Sequence, residues 1–168
     1  MQRRTSRSAQ PLRQRAIAAL GRREYARSEL RSKLVATGGE PSEVDRLLDE
    51  LERAGYLSDQ RCASVLVRKK VAGYSKRAIA FALKEKGVAS AVAQDALASI
   101  AALDEVATAR ALWERKFGEA PKDNRDKARQ LRFLLSRGYS GAIAFEVMKR
   151  AGAATADDES DTDGSAKG

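Results

Sequence analysis

Apolar residues recur along the chain at the three- and four-residue spacing of amphipathic helices. No segment alternates apolar and polar residues as a half-buried strand does. Prolines, serines and acidic residues precede the apolar stripes, and glycines follow them, as at helix starts and ends. The predicted helices cover residues 11–21, 27–36, 42–55, 58–73, 75–87, 90–100, 104–118, 124–137 and 140–151. The pattern predicts an all-α fold.

Three times, a leucine is followed four residues later by a helix-ending glycine, and a serine and another amphipathic segment come next. The pairs are Leu34/Gly38, Leu83/Gly87 and Leu134/Gly138, with their glycines 49 and 51 residues apart. This period indicates an elongated tandem array of three three-helix repeats whose contacts run mainly between neighbours. The expected organisation is a basic arm (1–9), three repeats (10–57, 58–103 and 104–151) and an acidic tail (152–168). The alternative is a chance recurrence of frequent residue types.

The net charge is +9, from 32 Lys and Arg against 23 Asp and Glu, so a polyanion is the first partner to consider. The charge is uneven along the chain. Residues 152–168 contain five acids and one base and no large apolar residue, and we expect this tail to be disordered. Residues 1–9 contain three arginines and no acid, which indicates a loose basic arm. Both ends could serve solubility or interaction.

The chain has no histidine and one cysteine, Cys62. These counts exclude histidine bases, internal disulfides and metal sites built from His or Cys. Trp113 and Phe117, at helical spacing, are expected in the core, as is Cys62. A lone thiol and the lack of a long apolar run indicate a cytoplasmic protein without a membrane span. We expect no catalytic residue, cofactor or metal.

Basic residues concentrate in two stretches, 13–33 and 61–86, and each contains a tyrosine just before a predicted helix. Cations beside a ring that can stack on a base are typical of surfaces that bind nucleic acid. The alternatives are that the basic runs are solvated helix faces and that Tyr25 and Tyr74 pack in the core.

Several motifs, taken in order, resemble the RecX family, whose members regulate the RecA recombinase. They are RREYARSELRSKL at 22–34, GYL at 55–57, SDQR at 58–61, GY at 73–74, KFG at 116–118 and RFLLSRGYS at 132–140. The chain departs from the family pattern at Cys62, where a phenylalanine is usual, and at Ser75-Lys76, where Gly-Pro is common. The resemblance covers about 12–151 and implies tandem three-helix repeats.

The resemblance also implies a non-enzymatic regulator, acting as a monomer, that binds RecA and its nucleoprotein filaments. Its expected ligands include single-stranded DNA and, more weakly, double-stranded DNA. Expected effects are inhibition of filament extension, strand exchange, ATPase and co-protease activity. The candidate contact residues are Arg22, Arg23, Tyr25, Arg27, Arg31, Arg68, Lys69, Lys70, Tyr74, Lys76, Arg77, Lys84, Lys86, Arg132 and Arg137. The alternative is a general helical DNA-binding protein that acts by competing for DNA.

Overall fold

A computed structural model describes the backbone of residues 11–158 and the side chains of residues 11–150. Within this range the chain forms helices and no strands, which confirms the all-α prediction. The helices are α1 (Leu12–Leu20), α2 (Arg27–Ala36), α3 (Pro41–Arg53), α4 (Asp59–Lys70), α5 (Lys76–Glu85), α6 (Ser90–Ala98), α7 (Glu105–Lys116), α8 (Asn124–Ser136) and α9 (Gly141–Asp158).

The described residues divide into two compact units. Unit 1 contains the chain up to Lys69 together with Ala80–Ser99, and unit 2 contains Lys70–Ile79 and the chain from Ile100 onward. Helices α4 and α5 therefore contribute residues to both units.

The core of unit 1 lies mainly between α1, α2 and α3, where small alanines on α1 meet leucines from the other two helices. Its buried members are Ala16, Ala19, Tyr25, Leu30, Leu34, Val44, Leu47, Leu48, Leu51 and Leu57. Four of these, from Val44 to Leu51, lie on the apolar stripe of α3 at helical spacing. On α5, Leu83 of unit 1 and Ile79 of unit 2 are both fully buried, as the pattern of that segment predicts.

The core of unit 2 is formed by α7, α8 and α9. It contains Ala109, Leu112, Trp113, Leu134, Tyr139, Ala144, Val147 and Met148. The indole Nε1 of Trp113 donates a 2.7 Å hydrogen bond to Oε1 of the buried Gln130. Phe117 packs edge-on against Phe133, with 5.3 Å between ring centroids. The prediction that Trp113 and Phe117 serve packing is confirmed.

The three periodic glycines end their helices in the left-handed region. Their φ angles are 90° at Gly38, 69° at Gly87 and 87° at Gly138, values that favour glycine over residues with a Cβ. In each case the N–H after the glycine donates to the carbonyl of the leucine four residues before it. These Schellman bonds are Gly39 to Leu34 at 3.0 Å, Val88 to Leu83 at 3.1 Å and Tyr139 to Leu134 at 3.3 Å. The repeating Leu–Gly pair is therefore a repeating helix end.

Most predicted helix starts agree with the structure. The hydroxyls of Ser58, Ser75 and Ser140 accept hydrogen bonds from the backbone N–H three residues on. Asp104 caps α7 by accepting from the N–H groups of Val106 and Ala107.

The predicted start of the third helix, at Ser42, differs from the structure. Helix α3 begins one residue earlier, at Pro41, and Glu40 is its N-cap, with a carboxylate that accepts from the N–H of Glu43 at 3.0 Å. Proline suits the first helical position because its missing N–H would have no partner there.

The predicted end of the last helix, Ala151, also differs from the structure. Helix α9 continues to Asp158, seven residues beyond the predicted end. Alanines recur through this stretch and have the highest helix propensity, which sustains the helix beyond the last large apolar residue. The basic arm (1–9) and the rest of the acidic tail (159–168) lie outside the described residues.

Candidate nucleic-acid and protein interface

Three of the candidate arginines in the first basic stretch are bound to carboxylates within unit 1. Arg23 forms a two-pronged pair with Glu29, with N–O distances of 2.8 and 3.0 Å. Arg27 reaches Asp49 at 2.8 Å and Glu52 at 2.7 Å. Arg31 holds Asp45 through Nε at 2.6 Å and Nη2 at 3.0 Å. Helix α3 therefore neutralises much of the charge that α2 carries.

These cations lower the pKa of two of their acidic partners, Asp45 and Glu29. The hydrogen bond from Arg31 holds the pKa of Asp45 below its usual value. Partial burial opposes the charge of Glu29, but hydrogen bonds from Arg23 and Lys86 outweigh it, and the pKa of Glu29 is also lowered. Lys86 approaches Glu29 to 2.7 Å. The cations of this network already have partners, and an added phosphate would have to compete with carboxylates for them.

Tyr25 is a packing residue, which is the alternative that the sequence left open. Its side chain is only 6% exposed and belongs to the core of unit 1. The guanidinium of Arg23 lies 3.6 Å from its ring centroid and covers the ring further. A base cannot stack on Tyr25 in this conformation.

Four candidate cations of unit 1 are exposed and make no ion pair within the described part of the chain. They are Arg22 before α2, Arg68 and Lys69 at the end of α4, and Lys84 on α5. They are therefore available to an external anion without breaking an internal bond.

In unit 2, Tyr74 lies against two cations. Lys70 Nζ is 4.0 Å from its ring centroid and the Arg137 guanidinium is 4.8 Å from it. Nη1 of Arg137 also donates a 2.6 Å hydrogen bond to the Tyr74 hydroxyl. The ring therefore makes cation–π contacts with both cations, and Tyr74 is partly buried.

Lys76 is likewise engaged within unit 2. Its Nζ donates to the carbonyl of Ala101 at 2.5 Å, and its backbone N–H donates to Glu105 Oε1 at 2.8 Å. Arg77 and Arg132 differ from it because they are exposed and make no ion pair among residues 11–150. Arg132 lines a shallow cleft with Arg125 and Arg129, but Glu119, Asp123 and Asp126 line it too, so its charge is mixed.

The motif analysis missed Phe81, which is 64% exposed on α5. A signal was present, since Ile79 and Leu83 mark the inward face of that helix and Phe81 lies midway between them. A residue two positions from each of two core residues lies on the far side of a helix.

The described side chains contain no group of three or more His, Cys, Asp or Glu residues that could hold a metal ion. Burial raises the pKa of the Cys62 thiol, which is 5% exposed, so the thiolate form is disfavoured. Between residues 11 and 158, no helix has the length and apolar character that crossing a membrane requires.

Comparison with known proteins identifies the family. Residues 58–97 match the second three-helix domain of RecX and residues 104–148 match its third. Regulatory protein RecX of Leptothrix cholodnii is 35% identical over 140 residues, which cover 83% of this chain and 88% of the relative. The chain belongs to the RecX family. Regulatory protein RecX of Herminiimonas arsenicoxydans is 39% identical over 129 residues, or 77% of this chain and 85% of the relative.

Solved RecX structures share the fold. The crystal structure of RecX from Lactobacillus salivarius superposes with a TM-score of 0.64 at 18% identity and covers 84% of this chain and 95% of that one. A second crystal structure of regulatory protein RecX gives a TM-score of 0.63 at 20% identity, covering 83% of this chain and 73% of the other. The chain is thus built of tandem three-helix repeats, as other RecX proteins are. The boundaries of the individual repeats stay a prediction.

Proposed function

We propose that this RecX-family protein binds RecA and RecA filaments on single-stranded DNA, lying along the filament groove, and inhibits filament extension. Strand exchange, ATPase and co-protease activity would fall with it, so the protein would modulate recombination, DNA repair and the SOS response. It would act as a cytoplasmic monomer, through binding and not through catalysis. The observation that carries the proposal, beside family membership, is the set of exposed cations that form no ion pair within the described part of the chain.

Ten of the candidate cations fall into two groups, according to whether they form an ion pair among the described residues, and we assign the groups different roles. The cations proposed to contact the filament or its DNA are those that form no ion pair with a carboxylate of residues 11–150, namely Arg22, Arg68, Lys69, Arg77, Lys84 and Arg132. Arg23, Arg27, Arg31 and Lys86 are proposed to stabilise unit 1 through their ion pairs. Binding by the first group releases counterions from DNA and does not disrupt the fold.

The test is RecA ATPase on single-stranded DNA with the purified protein titrated from well below to above one molecule per RecA protomer. A protein that blocks filament growth needs to occupy only filament ends or sparse groove sites. We therefore expect substantial loss of ATPase and strand exchange far below stoichiometry. Inhibition that begins only when the DNA is saturated would contradict the proposal.

The competing function is a DNA-binding protein that displaces RecA by covering the DNA, and the unpaired cations are compatible with it. Binding to RecA in the absence of DNA separates the two functions. A filament regulator should bind DNA-free RecA, and a pure competitor should not.

A further inference from the structure

Phe81 is the most exposed large apolar side chain in the described part of the chain, at 64% of its surface. It lies on α5, which is anchored by the fully buried Ile79 and Leu83 on its inward face. Because those two residues fix the rotation of the helix, Phe81 cannot turn into the core. The ring is held in solvent.

Two of the residues beside Phe81 on the outer face of α5 are basic and one is acidic. Arg77 precedes it by four residues and Lys84 follows it by three, and these spacings bring side chains together on a helix surface. Both cations are exposed and make no ion pair with any described residue. Glu85, the only acidic residue of α5, follows Phe81 by four residues and is exposed, so the helix surface around the ring carries two positive charges and one negative charge. The ring itself is open to solvent.

We propose that Phe81 is a stacking platform for a base of single-stranded DNA, with Arg77 and Lys84 contacting the neighbouring phosphates. A π-face flanked by cations is the combination that single-stranded nucleic acid requires, since each nucleotide offers a base to stack and a phosphate to neutralise. Double-stranded DNA keeps its bases stacked and cannot use the ring. An apolar protein partner would have to leave the two cations unpaired.

The proposal assigns to Phe81 the role that the sequence assigned to the two tyrosines. Tyr25 is buried beneath Arg23, and Tyr74 is engaged by Lys70 and Arg137. The aromatic residues of the two basic stretches are Tyr25, Tyr74 and Phe81. Phe81 is the most exposed of the three, and it lies beside cations that form no ion pair among the described residues. The inference deepens the proposed function and rests on it for the choice of single-stranded DNA as ligand.

The test measures binding to a single-stranded oligonucleotide without RecA, and to an abasic oligonucleotide of equal length that has the same phosphates but no bases. Phe81→Ala should weaken binding to the first roughly 5- to 100-fold and leave binding to the second unchanged. Phe81→Trp should preserve or increase affinity for the first. The log–log salt slope should not change in either Phe81 variant, because no phosphate contact is lost.

Two further variants are controls. Phe145→Ala removes a phenylalanine of similar exposure, 56%, from a cleft lined by Asp123 and Glu146 as well as by Lys127 and Lys149, and should not affect binding. Lys84→Ala should flatten the salt slope by about 0.7 on both oligonucleotides, as expected for one phosphate contact on a single strand.

Equal affinity of wild type and Phe81→Ala for the base-bearing strand would overturn the proposal. An equal loss on the abasic strand would also overturn it, because the ring would then act through something other than base stacking. Loss of RecA binding with unchanged DNA binding would assign the ring to a protein contact and reject stacking. None of these outcomes decides the proposed function, which is tested separately by substoichiometric inhibition of RecA ATPase.

Discussion

The backbone N–H of Arg27, the first residue of α2, donates a 2.8 Å hydrogen bond to Oδ1 of Asp59, the first residue of α4. The residue before Arg27 is Ala26, which has no side chain able to cap the helix. The other carboxylate oxygen of Asp59 accepts from the N–H of Ala89, just before α6, at 3.3 Å. One carboxylate therefore satisfies the starts of two helices.

The same relationship recurs in unit 2. The N–H of Lys76, the first residue of α5, donates to Glu105, the first residue of α7, at 2.8 Å. In both units an acidic residue at the start of one helix caps a helix that precedes it in the chain, and the negative charge also suits the positive end of the helix dipole. Helix α8 differs because Asp123 caps it locally, through the N–H of Asp126.

Removal of the Asp59 carboxylate should destabilise the protein without affecting its charged surface elsewhere. We expect Asp59→Ala to lower the free energy of unfolding by about 1–2 kcal/mol, the usual cost of losing a helix cap. Asp59→Asn should cost less, since an amide oxygen can still accept from Arg27. Urea denaturation measures the difference, with Asp95→Ala on exposed α6 as the control, expected within about 0.5 kcal/mol of wild type. A loss for Asp59→Ala no larger than that of the control would refute the capping role.

Two of the periodic glycines also touch the start of an earlier helix. A Cβ at Gly87 would lie 2.7 Å from the side chain of Ser28, and one at Gly138 would lie 2.6 Å from Cβ of Ala78. Gly55 also has a positive φ, 76°, but a Cβ there would meet nothing within 4 Å. Gly55 is thus a matched control that separates backbone strain from steric overlap.

We expect Gly55→Ala to cost about 1–2 kcal/mol of unfolding free energy, from left-handed strain alone. Gly138→Ala should cost about 1–3 kcal/mol more, because Ala78 belongs to a helix and cannot move away freely. Chemical denaturation of both variants provides the comparison. Equal losses would mean that the close approach at Gly138 relaxes without cost.

The helix ends of this fold were predictable because they depend on local chemistry. Gly38, Gly87 and Gly138 each end a helix through bonds made within five residues, so their spacing reveals the repeat. The burial of Ile79 and Leu83 follows in the same way from the period of one helix.

Which of the charged residues form ion pairs was not predictable, because ion pairing depends on the register between helices. Arg31 and Arg68 look alike in the sequence, but Arg31 faces Asp45 across the contact between α2 and α3, and Arg68 faces no carboxylate among the described residues.

The position of Tyr25 depends on tertiary packing in the same way, because the hydrophobic pattern does not report that its ring is buried and covered by Arg23. The exposure of Phe81 was predictable, because Phe81 lies opposite Ile79 and Leu83 on one helix.

Arg31 and Arg68 provide a direct test of the division between structural and binding cations. Arg68→Ala should weaken binding to single-stranded DNA and flatten its log–log salt slope by about 0.7, at an unfolding cost within about 0.5 kcal/mol. Arg31→Ala should leave the slope unchanged and cost about 0–1 kcal/mol, as expected for an exposed ion pair. Fluorescence titrations over a range of salt concentrations, with urea denaturation of each variant, measure both effects. The division fails if Arg31→Ala flattens the slope as much as Arg68→Ala does.

Tyr139 in the core of unit 2 should make the protein sensitive to alkaline pH. Its side chain is 1% exposed, and its hydroxyl has no hydrogen-bond partner among the described residues. Burial raises the pKa of Tyr139 to about 12. A phenol whose pKa is higher in the folded state contributes its full stability below its unfolded pKa of about 10, and that contribution is lost as pH rises through the folded value.

We therefore expect Tyr139→Phe to match or exceed wild type in unfolding free energy at pH 7, by up to about 1 kcal/mol, because it removes a buried hydroxyl without a partner. Between about pH 10 and 12 the advantage of Tyr139→Phe should grow, since only wild type gains an ionised phenol on unfolding. Urea denaturation of both proteins across this pH range measures the difference in unfolding free energy. The other titratable groups contribute equally to both proteins, so their contributions cancel. A Phe variant that is less stable than wild type at pH 7 would show that the hydroxyl makes a stabilising hydrogen bond. A difference that stays constant to pH 12 would show that Tyr139 ionises as readily in the folded protein as in the unfolded chain.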